Sequence, residues 1–418
     1  MSKVLLIPVA SPLHNPFLVG KVLNLYQKKL DKIIDSSLSL IIKGEDLEKL
    51  EIDKNVLGII APLTGGTEHI IQHISEKCGF TLLVPHTSMN SLPAALEAFS
   101  KIKNAGRSWI ILEWPPGKRV QKFAKAWRTI SEIKKMKIGL IGEPSPWLVY
   151  SSGEDVEKNI NVLFEELEIL RIDVSEVYQE FSKISEIDVD VLKRELIKKT
   201  KAIRIPEDEV AKSLKIHLSL KKIIEKYGLD AVTVRCFNII TDLDTTACLS
   251  ASLLNSKVSM FGCEGDIPAL LTMIIFSKLA EAPSFMGNIN WIQDTTITIA
   301  HCTAPLTIAE KFELDNHFES GRGVGVRCYV PENREATLGR LDPVSRVIRY
   351  VVGRTIKKPV QEKACRTQLN IKIRSKDKSK LAQIVEESIG NHYVVVFKDI
   401  SEELGYLARI MGIRLERI

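Results

Sequence analysis

The residues best suited to chemistry lie between Met260 and Pro305. Cys263-Glu264-Gly265-Asp266 sets two carboxylates at the start of a helix, and the apolar run from about Ile267 to Leu279 supplies that helix. A helix N-terminus has free N–H groups and the positive end of a dipole, so Glu264 there stays ionised, ready to act as ligand or base. Phe285-Met286-Gly287-Asn288 follows, then a strand ending at His301-Cys302. His317, Glu319 and His392 stand further on. Carboxylates, an amide oxygen and imidazoles together suit a divalent cation such as Mn²⁺, Co²⁺ or Mg²⁺. No paired thiolates accompany them, which argues against structural zinc. Plainer readings stand beside this one. Glu264 and Asp266 could cap the helix, and His301 could be a hydrogen-bonded core histidine. Cys236, Cys263 and Cys302 read as small buried residues rather than nucleophiles.

The elements that must position these residues alternate along the first two thirds of the chain. An apolar run at 4–10 reads as a buried parallel strand. A helix from Pro16 to Leu30, a strand at Leu38–Ile42 and a strand at Val56–Ala61 come next. A helix from Glu68 with Thr67 as cap, a strand at Thr81–Val84, a helix at Leu92–Ala105 and Trp109–Leu112 complete the series. A Lys-rich helix then leads to a fresh start at Lys137–Gly142, where we place a boundary near residue 136. The pattern repeats with a helix at Glu154–Leu167, a strand near Ile172–Val177, a charged helix at Val189–Lys199 and an amphipathic one at Asp208–Tyr227. The strand Ala231–Val234 and a buried helix at Thr246–Leu254 precede the central stretch. Beyond His301 short period-two runs take over: Gly323–Val330, Ala336–Leu341, Arg346–Val352 and Gln368–Ile373. They suggest an antiparallel barrel or sandwich. The strand at His392–Phe397 and the helix Ser401–Met411, capped by Ser401, come last.

The expected fold class is therefore α/β: two doubly wound parallel-sheet domains, at 1–136 and 137–284, followed by a mainly antiparallel β domain at 285–418. In open parallel sheets ligands bind at the carboxyl ends of strands. The loops Thr64–Glu68 and His86–Ser91 lie there, although a tight strand-to-helix turn explains the first and a hydrogen-bonded His86 the second.

Composition narrows the class. The 418 residues carry a net charge of +6 and 45% apolar residues, an ordinary globular balance. The Lys and Arg are interspersed with acids and form no basic block with aromatics, which speaks against nucleic-acid binding. No apolar run reaches the roughly 18–20 residues of a membrane span, and the N-terminus reads as a first strand rather than a signal peptide. Seven cysteines without a CxxC pair fit a reducing, cytoplasmic setting.

Several motifs run in one order from about residue 60 to the end. They are Asn90-Ser91-Leu92-Pro93-Ala94-Ala95, Gly142-Glu143-Pro144-Ser145-Pro146-Trp147-Leu148, Val234-Arg235-Cys236-Phe237 and the run Cys263–Met273. Pro283-Ser284-Phe285-Met286, His301-Cys302-Thr303, His317–Gly321 and Gly390-Asn391-His392 continue the set. On these the chain resembles the fucose isomerase-like proteins, a branch of the L-fucose and L-arabinose isomerase superfamily. The resemblance implies a metal-dependent aldose–ketose isomerase, acting on an open-chain sugar such as fucose or arabinose through an enediolate. A divalent ion, usually Mn²⁺, would hold two adjacent sugar oxygens while carboxylates move the proton. It also implies a site between the second and third domains, completed in a homo-oligomer, trimer or hexamer. Glu264 falls on the first metal-ligating glutamate and His392 on the C-terminal metal-ligating histidine. His301 resembles the further histidine of the arabinose isomerases.

The resemblance makes Glu264 and Asp266 the expected catalytic pair. Glu264, Asn288, His301 and His392 are the expected metal ligands, and Asn90, Trp147 and Glu319 the expected substrate contacts. One position departs. Where the sugar isomerases carry a second acidic ligand, this chain has Asn288, which donates an oxygen but takes up no proton. The second acid–base role then passes to Asp266, Asp294 or Glu319, or the reaction differs. A metal-dependent lyase or epimerase and a non-catalytic sugar-binding relative are the alternatives.

Overall fold

A computed structural model describes residues 3–42, 46–47, 50–256, 260–357, 360–374 and 378–418, without the side chains of 378–380. The chain divides into two compact units, Met1–Glu132 with Glu402–Ile413, and Ile133–Ser401 with Arg414–Ile418. Among the described residues no helix is long and apolar enough to cross a membrane.

The first unit is a parallel five-stranded sheet. Its strands are β1 (Lys3–Val9), β2 (Ser36–Ser37), β3 (Val56–Pro62), β4 (Phe80–Leu83) and β5 (Ser108–Ile110), in the order β2-β1-β3-β4-β5. The order reverses at β1, which puts the connecting helices on both faces of the sheet. The inner strands are apolar throughout because both faces are covered; every residue of β3 is buried. Helix residues from Glu402 onward belong to this unit, where Tyr406 stacks near Phe123 at 5.2 Å and Lys122 meets Glu402 at 2.8 Å.

The second unit holds a parallel sheet and an antiparallel barrel. The parallel strands are β6 (Lys137–Ile141), β7 (Glu168–Ile172), β9 (Ala231–Val234) and β10 (Phe261–Cys263), in the order β10-β9-β6-β7. Between them β8 (Ala202–Ile203) leaves to pair elsewhere. The barrel strands are β11 (Phe285–Gln293), β12 (Thr296–His301), β15 (Glu335–Asp342), β16 (Val347–Ile356), β17 (Thr367–Ile373) and β18 (His392–Val396). They run β15-β18-β11-β12-β17-β16, and β15 also pairs with β16, closing the ring. The last strand, β19 (Arg414–Arg417), adds to β16 in parallel. A small sheet of β13 (Phe312–Asp315), β14 (Gly325–Cys328) and β8 flanks them. The doubly wound α/β units and the mainly antiparallel β portion are thus present, the latter as a barrel.

The helix Ile267–Ala280 joins the two sheets of the second unit. Every residue but Lys278 is buried. It has no polar face because it packs against β9 and β10 on one side and β15 and β18 on the other.

Several local readings need correction. The strand expected at Ile172–Val177 lies earlier, at β7, and Ser175–Lys183 is a helix. Asp173 starts that turn by accepting the Ser175 N–H at 2.8 Å. The strand expected at Leu38–Ile42 is a two-residue β2 with an isolated bridge between Val9 and Ile41. The last helix begins at Ser401 itself, and its N–H donates to Asp399 Oδ1 at 3.0 Å. Thr67 donates its hydroxyl to the Thr64 carbonyl instead of capping its helix through the side chain. The helix Lys378–Glu386 was not anticipated.

Glu313 on β13 pins β8 to the small sheet. It is 1% exposed and meets Arg204 Nε at 2.9 Å and Lys201 Nζ at 3.0 Å. Burial alone would raise its carboxyl, but the bonds from Arg204, Lys201 and Tyr329 outweigh this and hold it at about 2. The folded value lies below the unfolded one, about 4.3. The contribution is therefore present above that value and is lost as pH falls toward about 2. Glu313→Gln is expected to lower the thermal midpoint at neutral pH by about 2–4 °C, as a loss near 1 kcal/mol would. The gap from the unmodified protein should close in acid; an equal gap at both pH values would refute an electrostatic role.

Candidate metal centre

Glu264 follows directly on β10. Its N–H donates to the Val234 carbonyl at 2.8 Å, so it continues the ladder at the carboxyl end of the parallel sheet. Its backbone then turns left-handed, with φ 66°, followed by Gly265 at φ 79°. That conformation is costly for a residue with a Cβ. Gly265 is required here, since a Cβ would lie 2.6 Å from Pro144 Cα. The loop after β6 is tied on by Ser145 N–H, which donates to the Glu264 carbonyl at 2.8 Å. Trp147 Nε1 donates to Glu264 Oε2 at 2.6 Å. The Glu264 side chain is 12% exposed.

Two residues on, Asp266 caps the apolar helix, accepting the Ala269 N–H on Oδ1 at 2.8 Å. It is fully buried, yet three groups stabilise its charge. Arg340 on β15 donates to it at 3.2 Å, and His392 Nδ1 donates to Oδ2 at 2.9 Å. Burial would raise the Asp266 carboxyl; Arg340, His392 and the helix cap hold it at about 2 instead. Arg340, also buried, spends its other donors on the carbonyls of Ile389 and His392 and on Ser151 Oγ. Gly390, at φ 118°, leaves room for that guanidinium.

His392 opens β18, opposite Asn288 on β11. Asp266 orients its ring, leaving Nε2 buried with no hydrogen-bond partner among the described residues. That nitrogen lies 3.7 Å from Glu264 Oε1. Burial would lower the His392 value, but Asp266 and Glu264 outweigh it and raise it to about 9. His301, at the end of β12, stands with its ring 5.9 Å from that of His392. Its Nδ1 lies 2.9 Å from Thr303 Oγ1, and burial together with the His392 charge lowers it to about 3. One ligand atom each from Glu264, His301 and His392 falls within 4.8 Å of the others.

These residues fit a divalent cation. One carboxylate and two imidazoles supply the donors, and an orphaned buried nitrogen faces the gap, where unpaired polar atoms are otherwise rare. Asp266 and Thr303 engage the remaining ring nitrogens, the outer support that orients metal-binding histidines.

The other expected residues divide. Asn288 sits across the strand from His392, its amide oxygen accepting from Asn391 Nδ2 at 2.8 Å. Trp147 is 48% exposed and meets Phe237 edge-on at 4.7 Å, with His317 next at 6.1 Å from Phe237. His317 is lowered to about 4 by burial and Arg366. Glu319 is exposed, and partial desolvation with the Glu264 charge raises its carboxyl. Asn90 belongs to the first unit, in the turn before the helix Ser91–Ile102 with φ 56°. His86 there is a satisfied residue, its Nε2 2.9 Å from the Leu63 carbonyl. The cysteines are free, all buried but the half-buried Cys365. Arg340 was missed by sequence reasoning; its signal is a lone cation inside the buried run Leu338-Gly339-Arg340-Leu341.

No family model matches the chain. It is similar to proteins named sulfoquinovose isomerase. The relative from Alkalicoccus urumqiensis is 21% identical over 305 residues, 69% of this chain and 66% of that protein. One from Priestia aryabhattai is 21% identical over 310 residues, 68% of this chain and 65% of that protein. One from Clostridium sp. (strain MSTE9) is 26% identical over 238 residues, half of each chain. The chain thus spans just under two thirds of the length of the first relatives it matches.

Removing Arg340 strands Asp266 as a buried charge. Arg340→Met is expected to cost about 3–5 kcal/mol in denaturant unfolding. A cost below about 1 kcal/mol would show that the Arg340–Asp266 pair does not support the fold.

Proposed function

We propose that the protein is an aldose–ketose isomerase whose site is built on Glu264, His301 and His392. The observation that carries the reading is the convergence of these three, from the turn after β10 and from β12 and β18, around an imidazole nitrogen with no partner among the described residues. The names of the relatives support a sugar isomerase at low identity. Glu264, His301 and His392 would hold a divalent cation, with Mn²⁺ the ion carried over from the resemblance. When bound, such a cation polarises sugar oxygens and stabilises the negative charge that develops on them.

The chain's own residues divide the remaining work. Asp266 acts through His392: its oxygens are taken up by Ala269 N–H, Arg340 and Nδ1, so it fixes the tautomer that presents Nε2. It is a positioning residue in this reading, and the acid–base work falls to groups that can reach the sugar. Trp147 holds Oε2 of Glu264 and, with Phe237, forms an aromatic wall against which sugar C–H groups can lie. Glu319 takes the second acid–base place that Asn288 cannot fill. Its raised carboxyl holds a proton more readily than an ordinary glutamate and can pass it at a sugar oxygen or carbon. Fucose and arabinose remain candidate substrates beside the sugar in the relatives' names. Cytoplasmic location and assembly as a trimer or hexamer are carried over from the resemblance alone.

A second reading is binding without turnover, favoured by Asn288, whose amide is engaged with Asn391. Proton exchange at the sugar carbon in D₂O separates the two: exchange excludes mere binding.

Glu264→Gln is expected to weaken Mn²⁺ binding at least about 100-fold by calorimetry and to abolish aldose turnover. Unchanged binding and turnover would end this reading. Glu319→Gln should lower kcat about 100-fold or more while Mn²⁺ affinity stays within a factor of about 3, the range general acid–base loss produces. An unaffected kcat would remove Glu319 from the reaction.

A further inference from the structure

Three helices of the second unit line a cleft that shares no residue with the candidate metal centre. It lies where the helices Glu186–Lys199, Glu207–Tyr227 and Cys248–Asn255 meet the chain leading into β13, and its volume is about 540 Å³. Small-molecule sites fall between about 300 and 1,000 Å³. The walls are mainly apolar: Leu192 and Leu196 from the first helix, Leu214 from the second, Leu253 from the third and Phe312 from β13.

One polar group in this wall is unsatisfied. His217 lines the cleft and is 8% exposed, and its Nδ1 lies 3.2 Å from Ser250 Oγ. Ser250 is fully buried and has no other partner among the described residues, so its one hydroxyl proton goes to Nδ1. The imidazole proton is then on Nε2, which has no hydrogen-bond partner among the described residues. Burial and the nearby Lys221 charge lower the His217 value to about 4, so the ring is neutral at neutral pH. A donor at such depth is normally paired, because leaving it unmade is costly.

The other polar groups of the cleft are engaged or exposed. Ser256 Oγ donates to the Ser252 carbonyl at 2.6 Å and accepts the Leu306 N–H at 2.8 Å. Thr307 Oγ1 donates to the Ser256 carbonyl at 3.0 Å. The charged side chains, Glu195, Lys199 and Glu310, are all exposed at the rim. Glu195 meets Lys198 at 2.7 Å, and the other two have opposite signs, so the rim asks for no net charge in an occupant.

We propose that this cleft binds an uncharged, mainly apolar small molecule with one acceptor oxygen, which takes a hydrogen bond from His217 Nε2. The apolar walls supply the drive for burial, and the single donor fixes orientation. The proposal does not depend on the isomerase reading.

The test uses three probes that share a phenyl ring and a four-carbon chain: butyrophenone, butylbenzene and 4-phenylbutyrate. Dissociation constants are measured by saturation-transfer NMR titration of the full chain at equal probe concentrations. Butyrophenone should bind about 2- to 10-fold more tightly than butylbenzene, the range one net hydrogen bond gives, and 4-phenylbutyrate should bind most weakly. His217→Phe, which keeps a ring but no donor, should remove the ketone's advantage while butylbenzene still binds. Ala309→Trp fills the cleft from its half-buried wall with His217 intact, and should abolish binding of both. Equal affinity for ketone and hydrocarbon in the unmodified protein overturns the role of His217. Tightest binding of 4-phenylbutyrate overturns the uncharged class. Binding unchanged in Ala309→Trp places the probes elsewhere and overturns the site. No binding of any probe overturns it too; a smaller assembled mass of Ala309→Trp by light scattering would then assign the cleft to a second copy of the chain.

Discussion

The second unit depends on one buried charge. Asp266 is out of reach of water, and its ionised form persists because Arg340, His392 and the start of an apolar helix all face it. Taking such charges out of water costs several kcal/mol per ion, and only good geometry with full hydrogen bonding offsets that. The arrangement meets the condition. Arg340 reaches five oxygens on Asp266, Ile389, His392 and Ser151, drawn from three separate stretches of chain. The cost in solvation secures position: the His392 ring has one orientation in which Nδ1 is satisfied, and that orientation presents Nε2 to Glu264.

The same logic explains the helix that carries Asp266. An element buried on every side gives stability through burial but has no surface to vary. Ile267–Ala280 is such an element, so its N-terminus is fixed relative to both the parallel sheet and the barrel of its unit. Glu264 then comes from the sheet side and His301 and His392 from the barrel side. Barrel closure through β15 and β16 leaves β11, β12 and β18 neighbours, which brings His301 and His392 to within ring-stacking range.

Parts of this were legible in the sequence for definable reasons. The apolar runs of β1, β3, β6 and β9 announce parallel strands because both faces are covered. The Cys263–Asp266 start signal is local chemistry, and Asp266 does cap the helix. The period-two runs after His301 showed antiparallel strands, but alternation alone does not distinguish a barrel from a sandwich, since only pairing of β15 with β16 decides closure. The misplaced strand near Ile172 reflects a boundary set by one Asp173 side chain rather than by periodicity.

What the sequence determined by itself was the class of elements, their order and the residue types able to bind a cation, because propensity, periodicity and donor chemistry are local properties. What only the tertiary structure decided was which of those donors meet. Glu264, Asp266, Arg340 and His392 are separated by up to 128 positions, and no local rule says that Asp266 faces His392 Nδ1 while Glu264 faces Nε2.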